Sequence, residues 1–248
     1  MLKLAIALGW QDLRSTYRRS TLGQFWITLG MAVTVATIGL VFGVIFGTPL
    51  TEYLPFLASG IICWGFISSV LTDGSQSFVA AEPMIKQIPL PKYVHVLRVL
   101  VRTLLTLAHN MIIFPLVLLF LGVVPSWTIL LFPISTFIAL AALGGLALGL
   151  AVFATRFRDL GPIISSVVTV AFYVTPVIWQ PSALKNDLAH TLLGFNPLYH
   201  LIQIMRLPLL GKLPTPENWS LSLIAAITFC IFGVVVYRKN VNHLAYWL

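Results

Sequence analysis

The chain has 248 residues, of which 58% are Ala, Val, Ile, Leu, Met, Phe, Trp, Tyr or Cys and only 9% are Asp, Glu, Lys or Arg, against roughly a quarter charged in ordinary soluble domains. With a mean hydropathy of +0.96 it cannot be a disordered chain, a secreted disulfide scaffold or a nucleic-acid-binding domain, despite a formal net charge of +8; it reads as an integral membrane protein. Six apolar spans of about 20 residues each use roughly half of the chain and leave no room for a sizeable soluble domain, so the expectation is one all-α transmembrane domain over 1–248.

Residues 1–24 come first as an amphipathic helix. Leu2, Ile6, Trp10, Leu13 and Tyr17 recur at helical spacing, with Lys3, Arg14, Arg18 and Arg19 between them, the pattern of a helix lying flat in the membrane interface. Polar Gln11, Asp12 and Arg14 interrupt the first apolar stretch, which argues against a cleaved signal peptide. Spans are then expected at 25–47, 53–71, 99–123, 127–155, 161–179 and 221–237. Six crossings put both termini on one side. On that side lie Lys3, Arg14, Arg18, Arg19, Lys86, Lys92, Arg98, Arg102, Arg156, Arg158, Arg238 and Lys239, against Lys185, Arg206 and Lys212 opposite, so the termini are expected in the cytoplasm.

Two connections are long. Segment 72–98 contains two short helix-compatible stretches punctuated by Pro83, Pro89 and Pro91, long enough to dock something. Segment 180–220 is too apolar for a free loop, and it is expected to re-enter the outer leaflet as short helices broken at Asn196-Pro197 and Leu207-Pro208.

The acids Asp12, Glu52, Asp73, Glu82, Asp159, Asp187 and Glu217 all fall at expected span ends or in loops, which argues against ion-driven transport. His95, His109, His190, His200 and His243 lack ligand spacing, so no metal site and no catalytic group is expected. No GxxxxGK[ST] phosphate loop occurs in the chain, so uphill movement of a substrate would need energy from a partner. His109-Asn110 is the most conspicuous polar pair inside a span, read either as an interhelical hydrogen bond or as a substrate contact. Gly39, Gly43 and Gly47, and Gly145 with Gly149, form GxxxG steps that serve helix packing within one subunit or across a dimer. Cys63 and Cys230 sit in apolar runs and read as packing residues. Among the aromatics, Phe42, Phe46, Phe172 and Tyr173 lie deepest; they serve core packing or stack against sugar rings along a pathway.

Several strings together resemble the permease subunits of ABC transporters that export polysaccharides such as O-antigen, capsule and teichoic acid. They are Asp12-Leu13-Arg14 through Tyr17-Arg18-Arg19-Ser20-Thr21-Leu22-Gly23 and Trp26, Ile88-Pro89-Leu90-Pro91, Phe157-Arg158-Asp159-Leu160, and Asn196-Pro197 followed by Arg206 and Gly211. Phe25-Trp26-Ile27-Thr28-Leu29 and Ala108-His109-Asn110 look most like the O-antigen, lipopolysaccharide-linked branch. Gly30-Met31 stands where many relatives carry a proline, a departure that counts against the capsule and teichoic-acid branches.

The resemblance implies a permease without an ATPase site of its own, in the bacterial inner membrane. It implies a homodimer with two ATP-binding subunits, which hold ATP and Mg, moving an undecaprenyl-diphosphate-linked polymer from cytoplasm to periplasm. Gln76, Phe78, Glu82, Met84, Lys86, Pro89 and Pro91 would couple to the ATPase. Arg14, Arg18, Arg19, Arg156 and Arg158 would attract the lipid diphosphate. Trp26, Phe42, Phe46, Phe172 and Tyr173 would line the polysaccharide pathway, and Asn196, Pro197, Tyr199 and Arg206 would gate its periplasmic end. Membrane lipids complete the partners. A permease of the same superfamily for a drug or lipid, and a membrane enzyme acting on lipid-linked sugars, are the competing readings.

Overall fold

The computed structural model describes residues 1–16, 25–181 and 187–248. In these, the chain runs through α1 (Leu2–Thr16), α2 (Phe25–Phe46), α3 (Leu50–Ser75), α4 (Ser77–Ala80), α5 (Glu82–Gln87), α6 (Tyr93–Asn110), α7 (Ile113–Leu121), a 3₁₀ turn (Trp127–Leu131), α8 (Phe132–Arg156), α9 (Leu160–Val174), α10 (Asp187–Gly194), α11 (Pro197–Leu209), α12 (Pro216–Asn240) and α13 (Leu244–Trp247). Five stretches are long and apolar enough to cross a membrane: α2, α3, α6 with α7, the 3₁₀ turn with α8, and α12. The expected fifth crossing differs. Only α9, 15 residues long, is helical there, about 22 Å, and it gives way after Val174 to the irregular stretch that begins at Thr175.

The organising element is α3. It packs against α2, α6, α7, α8, α9 and α11, and Leu57, Ile62, Cys63, Ile67 and Val70 fill the middle of the core. Neighbours such as α2 (Val33, Leu40, Val44) and α9 (Ile163, Val167, Val170) bury one face and leave the other apolar and exposed, the surface a lipid solvent accepts, whereas α11 is buried nearly all round. Asp73 at the C-terminal end of α3 pairs with Arg102 of α6, and α1 packs along α6. One end of the bundle therefore holds α1, α4, α5 and the start of α6. The start of α3, the end of α7, α10 and α11 lie at the opposite end.

Several expectations need correction. In α1, Ala5, Gly9 and Leu13 form the buried stripe, because a small-residue face lets α1 approach Arg98 and Val101 of α6; of the expected membrane stripe, Leu2, Ile6 and Trp10 are exposed, Leu13 is buried, and Tyr17 lies outside the described residues. Segment 72–98 is shorter as a connection than expected, since α3 runs on to Ser75 and α6 starts at Tyr93. Gly39 and Gly43 pack on Leu54 and Leu50 of α3, whereas Gly47, at φ +61°, ends the helix and packs nothing. Gly145 and Gly149 meet Cys230 and Phe232 of α12. Both glycine steps are thus packing faces inside one chain. His109 turns its Nδ1 to the Leu105 carbonyl of its own helix at 2.8 Å, so the pair makes no interhelical side-chain bond; the link between helices is Thr28 donating to the His109 carbonyl at 3.2 Å. The break expected at Leu207-Pro208 is absent: α11 continues to Leu209 because Pro208 falls in its last turn. Gly211 (φ +76°) follows.

Candidate functional site

At the α1 end, α4 and α5 form a small platform. Phe78 is fully buried with Val96, Val152 and Leu244, so it does not face a partner as expected; it anchors the platform to α6, α8 and α13. Beyond it, Pro83, Lys86, Gln87, Ile88 and Pro89 are exposed, while Glu82, Met84 and Pro91 are half-buried. Pro83 sits in the first turn of α5, where its missing N–H costs nothing. Lys86 donates to the Glu82 carboxylate at 2.8 Å, and Arg158 approaches the same carboxylate at 3.6 Å. These two cations, Lys86 first, hold the Glu82 carboxyl below the usual carboxylate range. Lys92 donates to the Val241 carbonyl, and burial holds its ammonium below the usual lysine range. An exposed tip on a tethered base can transmit a push, because force at Pro89 or Lys86 reaches the bundle through Phe78 and Arg158.

Behind the platform is a polar cavity of about 250 Å³ lined by Asp12, Asp73, Gln76, Ser77, His95, Arg98 and Arg102 among others. Arg98 grips Asp12 of α1 through both Nε and Nη2, and Arg102 donates to Asp73 at 2.7 Å. His95 is buried with neither ring nitrogen bonded. The sequence reading treated Arg98 and Arg102 only as topology charges. Their one-turn spacing, set beside acids at two helix ends, was the available signal.

Of the five arginines expected at the lipid entrance, the three among the described residues stand in different surroundings. Arg14 is exposed on α1, and Arg18 and Arg19 lie outside the described residues. Arg156 stands over the rings of Phe157 and Trp247, 5.4 Å from each centroid, and Arg158 belongs to the platform.

At the opposite end, Asn196 caps α11, accepting from Leu198 N at 3.0 Å while its amide donates to Thr175 Oγ1 at 3.0 Å. That double role explains the helix break at Asn196-Pro197. Tyr199 stacks edge-on with His200. His200 reaches Asn218 of α12 at 2.8 Å and the Gly194 carbonyl at 2.7 Å, which ties α10, α11 and α12 together. Two carbonyls of the irregular stretch after α9 accept from side chains, as buried backbone outside regular structure requires. Tyr53 Oη donates to Ile178 O at 2.8 Å and Arg206 Nη1 to Pro176 O at 2.7 Å. Gly60 makes this approach possible, since a Cβ there would meet Val177 O at 2.5 Å and Arg206 Nη1 at 3.5 Å.

The expected pathway aromatics fall into separate groups. Phe42, Phe46, Tyr53 and Phe56 form a ladder of ring contacts, and Phe172 sits between Trp64 and Tyr173. Trp26, Phe46 and Tyr173 are exposed.

The family model of the ABC-2 type transporter matches residues 3–210, from α1 through α11. The chain belongs to the ABC-2 type transporter family. It is 26% identical over 200 residues to the O-antigen export system permease protein RfbA of Myxococcus xanthus, covering 80% of this chain and 77% of that one. Two proteins of the same description from Klebsiella pneumoniae are 24% and 23% identical over 243 residues, covering 95% of this chain and 91% of theirs. A transmembrane subunit of an ABC-2 transporter carries no catalytic site of its own, and the family implies a separate ATP-binding subunit.

Proposed function

We propose that this ABC-2 subunit is the permease of an O-antigen exporter. Two copies would pair with two ATP-binding subunits in the bacterial inner membrane, termini in the cytoplasm, and pass an undecaprenyl-diphosphate-linked polysaccharide to the periplasm. The observation that carries this reading is the likeness over 95% of the chain to proteins described as O-antigen export permeases. The geometry supports a division of labour along it. The platform of α4 and α5, with Glu82, Met84, Lys86, Pro89 and Pro91 at its surface and Gln76 and Phe78 at its base, is the docking element for the ATPase. Arg14, Arg18, Arg19, Arg156 and Arg158 offer guanidinium forks to the diphosphate. The exposed apolar faces of α2 and α9, carrying Trp26, Phe46 and Tyr173, with Phe42 and Phe172 behind them, suit a second copy and a sugar chain between the two. Asn196, Pro197, Tyr199 and Arg206 hold α11 as the outer gate, six crossings with α9 and its irregular continuation as the fifth, and α10 and α11 as re-entrant helices.

Purification of the tagged chain from its native cell in mild detergent tests this reading. A second protein with a phosphate-binding loop should come with it in equal amount, and lipid-linked O-antigen should stimulate hydrolysis. A chain that purifies alone, under conditions that preserve other ABC complexes, overturns the proposal.

A further inference from the structure

Arg206 is a fully buried guanidinium with only neutral partners. Nη1 donates to Pro176 O at 2.7 Å, Nη2 to Gln203 Oε1 at 3.2 Å, and the group lies 4.2 Å over the Phe56 ring. Nε has no acceptor. Among the described residues no carboxylate pairs with it, and a buried cation without a counter-charge is an expensive arrangement that one anion would relieve.

The space for such an anion is present. Arg206 lines a cavity of about 580 Å³ between the start of α3, the link after α7 and the end of α11. Gln203, also buried, spends its carbonyl oxygen on Arg206 and leaves its amide N–H groups for an acceptor. Lys212 stands exposed at the mouth, and among the described lining residues Glu52 is the one acid against Arg206 and Lys212, a positive balance. Leu118, Val123 and Leu210 supply apolar wall, and Thr51, Ser126 and Gln180 add neutral polar groups. We infer that this cavity is a phosphoryl-binding site, in which Arg206 and Gln203 take the phosphate oxygens and Lys212 draws the anion in. A guanidinium and an amide offer the planar donors that phosphate oxygens accept; a sugar hydroxyl would bond to them without neutralising the charge. The phosphoryl group comes either from a lipid headgroup or from free phosphate. The inference does not depend on which polymer the protein moves.

The purified protein, with whatever subunits accompany it, should be delipidated in a maltoside detergent. It is then offered phosphatidylglycerol, inorganic phosphate, or diacylglycerol as the uncharged control, with binding read by native mass spectrometry and by thermal shift. Wild type is expected to bind phosphatidylglycerol or phosphate at least ten-fold more tightly than R206Q, and several-fold more tightly than K212E, with R206K in between. Retention of the lipid alone identifies a headgroup site, and binding of phosphate alone identifies a free-anion site. K212E alters only an exposed side chain, so it keeps the test decisive where R206Q fails to fold. Equal binding of phosphatidylglycerol and phosphate by wild type and K212E, or equal retention of diacylglycerol and phosphatidylglycerol with no binding of phosphate, overturns the inference.

Discussion

Two ion pairs of the same chemistry on one helix differ in what they hold. Arg98 meets Asp12 in a half-buried, two-pronged contact that fixes α1 to α6, whereas Arg102 and Asp73 meet through one donor at the surface. Two aligned charge-assisted bonds in a partly desolvated site should couple by about 1 kcal/mol or more, and an exposed single contact by less than about 0.5 kcal/mol. Double-mutant cycles with D12N/R98Q and D73N/R102Q, read by thermal unfolding in detergent, are expected to rank in that order; equal coupling energies would show that the second prong contributes nothing. Single residues were only partly legible in the sequence. Asn196 and Arg206 belong to a string that carries the family resemblance, but burial of Arg206 against Phe56 depends on α3 and α11 being neighbours, which no local pattern encodes. Phe78 was misread for the same reason, since nothing local separates a docking aromatic from an anchoring one.

Helices fit together here mainly where glycine permits it. At the α8–α12 contact, a Cβ on Gly233 would collide with the Gly145 carbonyl, and one on Gly145 would collide with backbone of Phe229 and Cys230. Backbone cannot yield as a side-chain end can, so G233L should force the helices apart and cost roughly 1–3 kcal/mol or more. Gly30, with nothing within 4 Å of its Cβ position, supplies the control: G30A should be neutral or slightly stabilising through helix propensity, within about 1 kcal/mol. Lowered thermal midpoints for both variants would locate the effect outside the α8–α12 contact. The α5 platform makes a pH-dependent counterpart. Because Lys86 and Arg158 lower the folded-state pKa of Glu82, its stabilising contribution is present above the unfolded carboxylate range, about pH 4.3, and is lost as pH falls through the lower folded value. The difference in thermal midpoint between wild type and E82Q should therefore be present near neutrality and vanish in acid; a difference that grows on acidification would contradict the assigned pairing. Five of the six expected spans coincide with helices long and apolar enough to cross a membrane, while both ends of α3 and α12 and the start of α6 were placed too far inward. Those ends carry polar residues, such as Asp73 and Arg98, whose partners lie on other helices.

Across the whole molecule, the basic residues sort by end. Lys86, Lys92, Arg98, Arg102, Arg156 and Arg158 share the end that carries α1, and Arg206 and Lys212 belong to the other. The sorting agrees with cytoplasmic termini under the positive-inside rule; the shortest crossing that six spans require is α9, whose 15 helical residues fall short of a bilayer core of about 30 Å at 1.5 Å per residue. If α9 and the stretch after it cross together, Leu213 faces the periplasm while Lys3, Lys86 and Lys239 face the cytoplasm. If they do not cross, Leu213 joins the cytoplasmic set and Lys239 leaves it. All four positions are exposed, so single cysteines placed there in a C63A/C230A background can be tested with a membrane-impermeant maleimide on intact spheroplasts. The expected outcome is immediate labelling of L213C, with K3C, K86C and K239C labelled only after permeabilisation. Protection of L213C together with labelling of K239C would remove the fifth crossing, and with it the placing of α10 and α11 as an outer gate.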